Sequence, residues 1–354
     1  MPLRFHWRLL QGGDDGASRT GMPQVTALAL PDLDAQIGFC RTAEECGIDS
    51  LLVDINSAKP DPMALATMLG LATRTMRFMV AHRPGLMSPT LFVQQVNTFA
   101  VLTGGRISLN VVAGNTPQEQ RSYGDFLSHD ERYERMDEYL AVCHAFWNRN
   151  GPVSFRGRYL TIEDGRLNTP FVDAERSRPE IYLGGSSAPA KQVAARRASC
   201  WIRFADTPEA IVAQGVPDGV DLGLRLSVLV RPTREEAVRE ARRLLTAGAT
   251  PARRPNEAAF VQGSDASGIR ATFRLAEREW LTPCLWAGAV PSLGATSLAL
   301  VGTPDDVAEA LLEYGRAGVS QFILSGWPKL GEMVRFAADV LPRVRAAEGA
   351  PCPS

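Results

Sequence analysis

Ser88-Pro89-Thr90-Leu91-Phe92-Val93-Gln94-Gln95-Val96-Asn97-Thr98-Phe99-Ala100-Val101-Leu102-Thr103-Gly104-Gly105-Arg106-Ile107-Ser108-Leu109-Asn110-Val111-Val112-Ala113-Gly114 reads as a helix running into a strand. Ser88-Pro89 is a helix start, with proline in the first turn where no N–H is needed. Leu91, Phe92, Val96, Phe99 and Leu102 follow at three-to-four spacing, as one helical face requires. After Gly104-Gly105 the pattern changes to a short apolar run, Ile107–Ala113. Similar runs lie at Arg4–Leu10, Asp49–Ile55, Arg77–Arg83, Glu180–Gly184, Cys200–Phe204, Leu222–Val230 and Gln321–Trp327. Eight runs, mostly apolar on both faces and separated by helical segments, predict a parallel sheet covered on both sides. The count suits a closed (β/α)8 TIM barrel better than an open sheet.

Three further helix starts support this reading: Ser128 with Glu131, Thr233 with Glu236, and Thr303-Pro304 with Asp306. Two stretches interrupt the alternation. Residues 150–179 are rich in proline and glycine with short alternating runs, which predicts a small hairpin excursion. Residues 247–297 are long for a connection; at the C-terminal face of a barrel such an insertion serves as a substrate lid or as helical decoration. The whole chain, 1–354, is expected to form one barrel domain with these insertions.

Composition excludes several classes. Of 354 residues, 45% are hydrophobic and 22% charged, enough for a large core and too apolar for wholesale disorder. Lys+Arg total 38 against 39 Asp+Glu, a net charge of -1 that argues against nucleic-acid or anionic-membrane binding. Cys40, Cys46, Cys143, Cys200, Cys284 and Cys352 show no C-x-x-C spacing, so no zinc or redox dithiol is expected. No stretch approaches the roughly 18 apolar residues of a membrane span, and the N-terminus lacks a signal-peptide core; a cytoplasmic protein is expected.

No G-x-S-x-G elbow is present, and His6, His82, His129 and His144 lack metal or triad spacing. His82 closes an apolar strand, facing either the barrel mouth or the core. Gly184-Gly185-Ser186-Ser187, between the strand Ile181-Tyr182-Leu183 and an Ala-rich helix, is the best anion site. It gathers backbone N–H groups, two hydroxyls and a positive helix end at one point. An ordinary capped turn is the alternative. Gly12-Gly13-Asp14-Asp15-Gly16 carries acids that repel phosphate and reads as a loop. Arg225, between Leu224 and Leu226, must find a carboxylate, a phosphate or a polar pocket.

Taken together these segments resemble the bacterial luciferase-like flavin monooxygenases, and within them the FMNH2-dependent alkanesulfonate branch. The resemblance rests on Val80-Ala81-His82-Arg83-Pro84 with Ser88-Pro89-Thr90, on Leu102–Gly114, and on His129-Asp130-Glu131-Arg132-Tyr133. It also rests on Leu183–Ser187, Leu285-Trp286-Ala287-Gly288 and Phe322-Ile323-Leu324-Ser325-Gly326. It implies a luciferase-like barrel binding reduced FMN from a separate NAD(P)H-dependent flavin reductase and using O2. On this resemblance Gly185, Ser186, Ser187 and Tyr133 hold the flavin phosphate, and Val80, Ala81, Asn110 and Ala113 line the isoalloxazine. His129 then lies near the ribityl chain. A non-prolyl cis peptide is implied around Val80-Ala81-His82, and an assembly of two or four copies is expected.

Departures from the branch bear on the substrate. Lys59 stands where the sulfonate enzymes have cysteine, Ser227 where a histidine follows Arg225, and Leu293 where a loop arginine is usual. Gln11 replaces a histidine, and Ser325-Gly326-Trp327-Pro328-Lys329 replaces a segment with tyrosine and histidine. Asn110, Arg225 and Trp327 are therefore the catalytic candidates, with Gln11, Lys59, Ser227 and Lys329 shaping the substrate pocket. The lost arginine and the bulk of Trp327 point to a substrate less acidic or more apolar than a simple alkanesulfonate. An F420-dependent oxidoreductase, an alkanesulfonate enzyme with a modified pocket, and a non-catalytic flavin-binding protein are the alternatives.

Overall fold

The computed structural model describes residues 2–11, 32–57, 59–148, 151–248 and 253–349. The Gly12–Gly16 loop and Cys352 lie outside them. The strands are β1 (Arg4–Arg8), β2 (Ser50–Val53), β3 (Phe78–His82), β4 (Ile107–Val111), β5 (Val153–Arg156), β6 (Thr161–Gly165) and β7 (Ile181–Gly184). They continue with β8 (Cys200–Phe204), β9 (Asp221–Arg225), β10 (Ser227–Val230), β11 (Leu285–Trp286), β12 (Ala299–Gly302) and β13 (Val319–Leu324). Eight of these close a parallel barrel in the order β1-β2-β3-β4-β7-β8-β9-β13.

Alternation along each strand divides the side chains between two layers. Leu52, Met79, Tyr182, Cys200, Ile202 and Ile323 pack together inside the barrel. Their neighbours Leu51, Val53, Phe78, Val80, Leu183 and Phe322 point outward into the main core beneath the helices. Burying one such phenylalanine contributes about 1.5–3 kcal/mol. The interior also holds His6, which hydrogen-bonds Ser50 at 2.8 Å and Gln321 at 3.0 Å.

The helix starts form as their sequences indicate. Ser88, Ser187 and Thr303 cap their helices, and Thr303 with Asp306 closes a capping box. Ser128 and Glu131 exchange hydrogen bonds at the head of the helix His129–Asn148. Residues 151–179 include the antiparallel hairpin β5–β6.

Three expectations are corrected, and one alternative is decided for His82. The run Leu222–Val230 is two strands: after Arg225 the chain leaves β13 and pairs with β12, making a small sheet β10-β12-β11. Leu91 and Leu102 do not share the buried face of the helix Pro89–Thr103; they are 46% and 49% exposed, while Phe92, Val93, Val96, Phe99 and Ala100 face the core. The only cis peptide among the described residues is Trp327-Pro328. Val80, Ala81 and His82 instead pair in unbroken parallel register with Leu109, Asn110 and Val111, a ladder that holds the peptides trans. His82 faces away from the mouth: it stacks on Phe92 at 3.6 Å and shares a 2.9 Å hydrogen bond with the Tyr139 hydroxyl.

Burial pushes the His82 imidazole down to about 3 from its ordinary 6.5. The unfolded chain therefore takes up a proton near pH 6.5 that the folded chain refuses. Stability contributed by this group is complete above about pH 7 and falls as the pH drops toward 4. His82→Gln, which keeps a polar partner for Tyr139, should flatten the fall in melting temperature between pH 7.5 and 5. An unchanged slope would show that other groups govern acid sensitivity.

Candidate active site

The same alternation decides what stands at the C-terminal rim of the barrel. Arg8 lies two residues beyond His6, Asn110 two beyond Ser108, Gly184 two beyond Tyr182 and Arg225 two beyond Gly223. All four are carried on the barrel's inner face. Beyond them opens a cleft lined by Asn110, Ala113, His129, Tyr133, the tract Gly184–Ser187, Arg203, Phe204, Arg225 and Ala266–Ile269.

One end of the cleft is a cradle of donors. Gly185 has φ +143°, and a Cβ there would fall 2.4 Å from the Tyr133 hydroxyl, so no side chain fits. Ser187 caps the helix Ala188–Arg197, its Oγ accepting from the Ala190 N–H at 3.3 Å. Tyr133 hydrogen-bonds the Ser187 side chain; burial pushes the phenol up to about 12, against that hydrogen bond, so it stays protonated and able to donate. The Trp201 indole fixes the turn from behind, donating to the Gly185 carbonyl at 2.6 Å. His129, one turn before Tyr133, sits with its ring 5.0 Å away.

The other end is charged. Asp54, just past β2, meets Arg8 at 2.6 Å, Lys59 at 2.8 Å and Arg225 at 3.2 Å. Gln11 clamps its backbone, donating to the Asp54 carbonyl at 3.1 Å and accepting from its N–H at 2.9 Å. Burial pushes the Asp54 carboxyl up, but Arg8, Lys59 and Arg225 outweigh it and hold the group well below the usual range. Burial lowers Arg225 to about 10 and also lowers Lys59, with Asp54 opposing in both cases. Arg225 Nε and Asn110 Oδ1 are buried without a hydrogen-bond partner among the described residues.

A cradle of donors in a barrel-mouth cleft that Arg225 also lines accompanies a match of the sequence to a family model over residues 3–321. The chain belongs to the luciferase-like monooxygenases. Members of this family are flavin-dependent oxidoreductases. Several solved structures share the fold. A riboflavin lyase (RcaE) with modified FMN and riboflavin matches with a TM-score of 0.77 at 20% identity, covering 99% of this chain and 93% of that one. The EDTA monooxygenase EmoA from Chelativorans sp. BNC1 matches at 0.74 and 18%, covering 100% and 96%. An F420-dependent secondary alcohol dehydrogenase in complex with an F420-acetone adduct matches at 0.66 and 16%, covering 98% and 100%.

Of the residues singled out from sequence, Asn110, Ala113, His129, Tyr133, Gly185, Ser186, Ser187 and Arg225 meet in the cleft of this luciferase-like chain. Ala81 neighbours Asn110 in the sheet without lining the cleft, and Val80 points outward into the main core. Gln11 and Lys59 belong to the Asp54 cluster. Ser227 is buried in the small sheet, its hydroxyl donating to the Thr296 carbonyl at 2.9 Å. Trp327 packs on the apolar cluster of Leu229, Trp286 and Ala299, and Leu293 is part of that cluster, so neither narrows the cleft. Lys329 is buried at the head of the helix Lys329–Arg335, outside the lining. Arg8, Asp54, Arg203 and Ser267 were not anticipated. The alternation in Arg4-Phe5-His6-Trp7-Arg8 could have flagged Arg8 as inward-facing; nothing local marks Asp54.

Asp54→Asn would leave Arg225 and Lys59 buried beside a neutral amide. It should destabilise the fold by about 3–5 kcal/mol, read by chemical denaturation. Adding Lys59→Met should recover part of that loss; no recovery would show that the two charges do not compete for one carboxylate.

Proposed function

We propose that this protein is the oxygenase of a two-component system, taking FMNH2 from an NAD(P)H-dependent flavin reductase and using O2 to oxygenate an organic substrate. The observation that carries the reading is the donor cradle of Gly185, Ser186, Ser187 and Tyr133 opening directly into the barrel mouth. The residues fit a phosphate-bearing flavin: the turn excludes side chains, two hydroxyls and a neutral phenol point into it, and a helix N-terminus lies behind. Bound reduced flavin would supply the electrons with which O2 is activated.

The chain's own residues then have distinct tasks. The cradle anchors the phosphate and so sets how deep the ring end reaches. Asn110, with its carbonyl oxygen unpaired at the rim, is placed to accept a hydrogen bond from a ring N–H. The apolar walls formed by buried Ile202 and Ile323 and half-buried Phe204 exclude water from the reacting end.

The cationic end revises the substrate reading. The lost loop arginine and the bulk of Trp327 suggested a less acidic substrate, but Lys59 and Arg8 share one carboxylate with Arg225. Trp327, the source of the steric argument, is packed elsewhere. A substrate carrying an acidic group, sulfonates included, suits Arg225 best, the member of this cluster that lines the cleft.

Anaerobic titration with FMNH2 should give saturable binding. Ser186→Ala combined with Ser187→Ala should weaken it roughly ten- to a hundredfold, as losing charge-assisted hydrogen bonds does. Oxygen uptake with a flavin reductase and a panel of organic acids should then yield oxygenated product in the wild type. Absence of FMNH2 binding would remove this reading.

A further inference from the structure

Arg203 is an unusual residue for its place. In β8, Cys200 and Ile202 face the barrel interior, so Trp201 and Arg203 face outward toward the helices. Arg203 is only 4% exposed. Its Nη1 donates to the Gln214 side chain at 2.7 Å, and its guanidinium lies 4.7 Å from the Trp201 ring centre. Its Nε and Nη2 are buried with no partner among the described residues, and no carboxylate there comes within ion-pair distance. Burial alone lowers its pKa, with Asp206 opposing from further off. A guanidinium remains charged in a protein, so one neutral hydrogen bond and one ring face leave this group undercompensated. It lines the cleft alongside Ser186 and Ser187, and its neighbour Trp201 holds the Gly185 carbonyl.

A second orphan approaches from the inserted segment. The helix Ser267–Leu275 begins with no side-chain cap, and Ser267 Oγ is buried without a partner. Gly268 lies so near the serine tract that a Cβ there would sit 2.8 Å from Ser186 Oγ. The segment is moored by Ser264 Oγ, which donates to the Asn115 carbonyl at 2.6 Å, and by the ion pair of Arg132 with Asp265. Two helix N-termini and two unsatisfied side chains thus border the same end of the cleft.

We propose that Arg203 and Ser267 form the second half of the phosphate cradle, so that a phosphomonoester is held by β8 and the inserted helix as well as by the turn after β7. This rests on the flavin reading above and adds to it two residues outside the Gly-Gly-Ser-Ser turn. A phosphomonoester offers three acceptor oxygens and close to two negative charges, matching a donor set spread over three elements better than a carboxylate would. The inserted segment is then a wall of the cofactor site, and its docking and cofactor binding favour each other.

Oxidised FMN and riboflavin differ only in the phosphate, so the ratio of their dissociation constants, read by flavin fluorescence, isolates the cradle. Arg203→Met should shrink the preference for FMN by roughly tenfold or more while leaving riboflavin affinity unchanged. Ser267→Ala should shrink it by a smaller factor. Gln214→Leu, which removes the Arg203 partner without touching the charge, should leave it within about twofold. If Arg203→Met does not fold, judged by its melting curve, Arg203→Lys and Ser267→Ala decide through the same ratio. An unchanged ratio in those variants, or an equal loss in Gln214→Leu, overturns the proposal while leaving flavin binding intact. A wild type that binds neither flavin overturns the functional reading with it. A wild type that prefers F420, and loses only that preference in Arg203→Met, assigns the cradle to a phosphodiester and overturns the monoester assignment.

Discussion

A phosphate dianion is held in a protein only where several N–H and O–H donors converge without a side chain between them. Here that convergence depends on one missing atom, the Cβ of Gly185. The residue adopts a backbone conformation that side chains avoid, and it lies against the Tyr133 hydroxyl. Because nothing projects from Gly185, Tyr133 reaches Ser187, and the helix Ala188–Arg197 presents its N-terminus to the cleft. The barrel supplies the position: β7 ends at the C-terminal rim, where the chain turns from sheet to helix layer.

At the far side of the cleft, charge rather than shape is the controlling quantity. Asp54 brings three cations from β1, β9 and the loop after β2 to one point. Its carboxylate makes their burial tolerable, yet it cannot neutralise both Arg225 and Lys59. The cluster is therefore a brace across the barrel mouth that presents Arg225 to the cleft. On the proposed function, the donor cradle suits a phosphorylated cofactor and Arg225 a polar substrate.

The barrel was legible because its eight strands are apolar on both faces and separated by clearly capped helices. What escaped was the change of partner inside Leu222–Val230. Both halves of that run are buried, so hydrophobicity does not reveal that Ser227–Val230 pairs with Ala299–Gly302 instead of the barrel. The same change removes Ser227 from the site, although it is only two residues from Arg225. The cradle could be read because its chemistry is local: a strand, two glycines, two serines and a helix start are contiguous. The Asp54 cluster could not, since Asp54 and Arg225 are 171 residues apart and meet only when the barrel closes. Arg203 was hidden for another reason. It stands between Ile202 and Phe204 as Arg225 stands between Leu224 and Leu226, so the same strand argument applies to it, but the sequence does not show that Nε and Nη2 lack partners.

The most direct measurement is a crystal structure of the protein grown anaerobically with reduced FMN. The account predicts the phosphorus atom within hydrogen-bonding reach of Ser187 Oγ and the N-terminus of the helix Ala188–Arg197, with the ring system extending toward Asn110. A flavin whose phosphate lies elsewhere, or whose ring fills the serine turn instead, would contradict it.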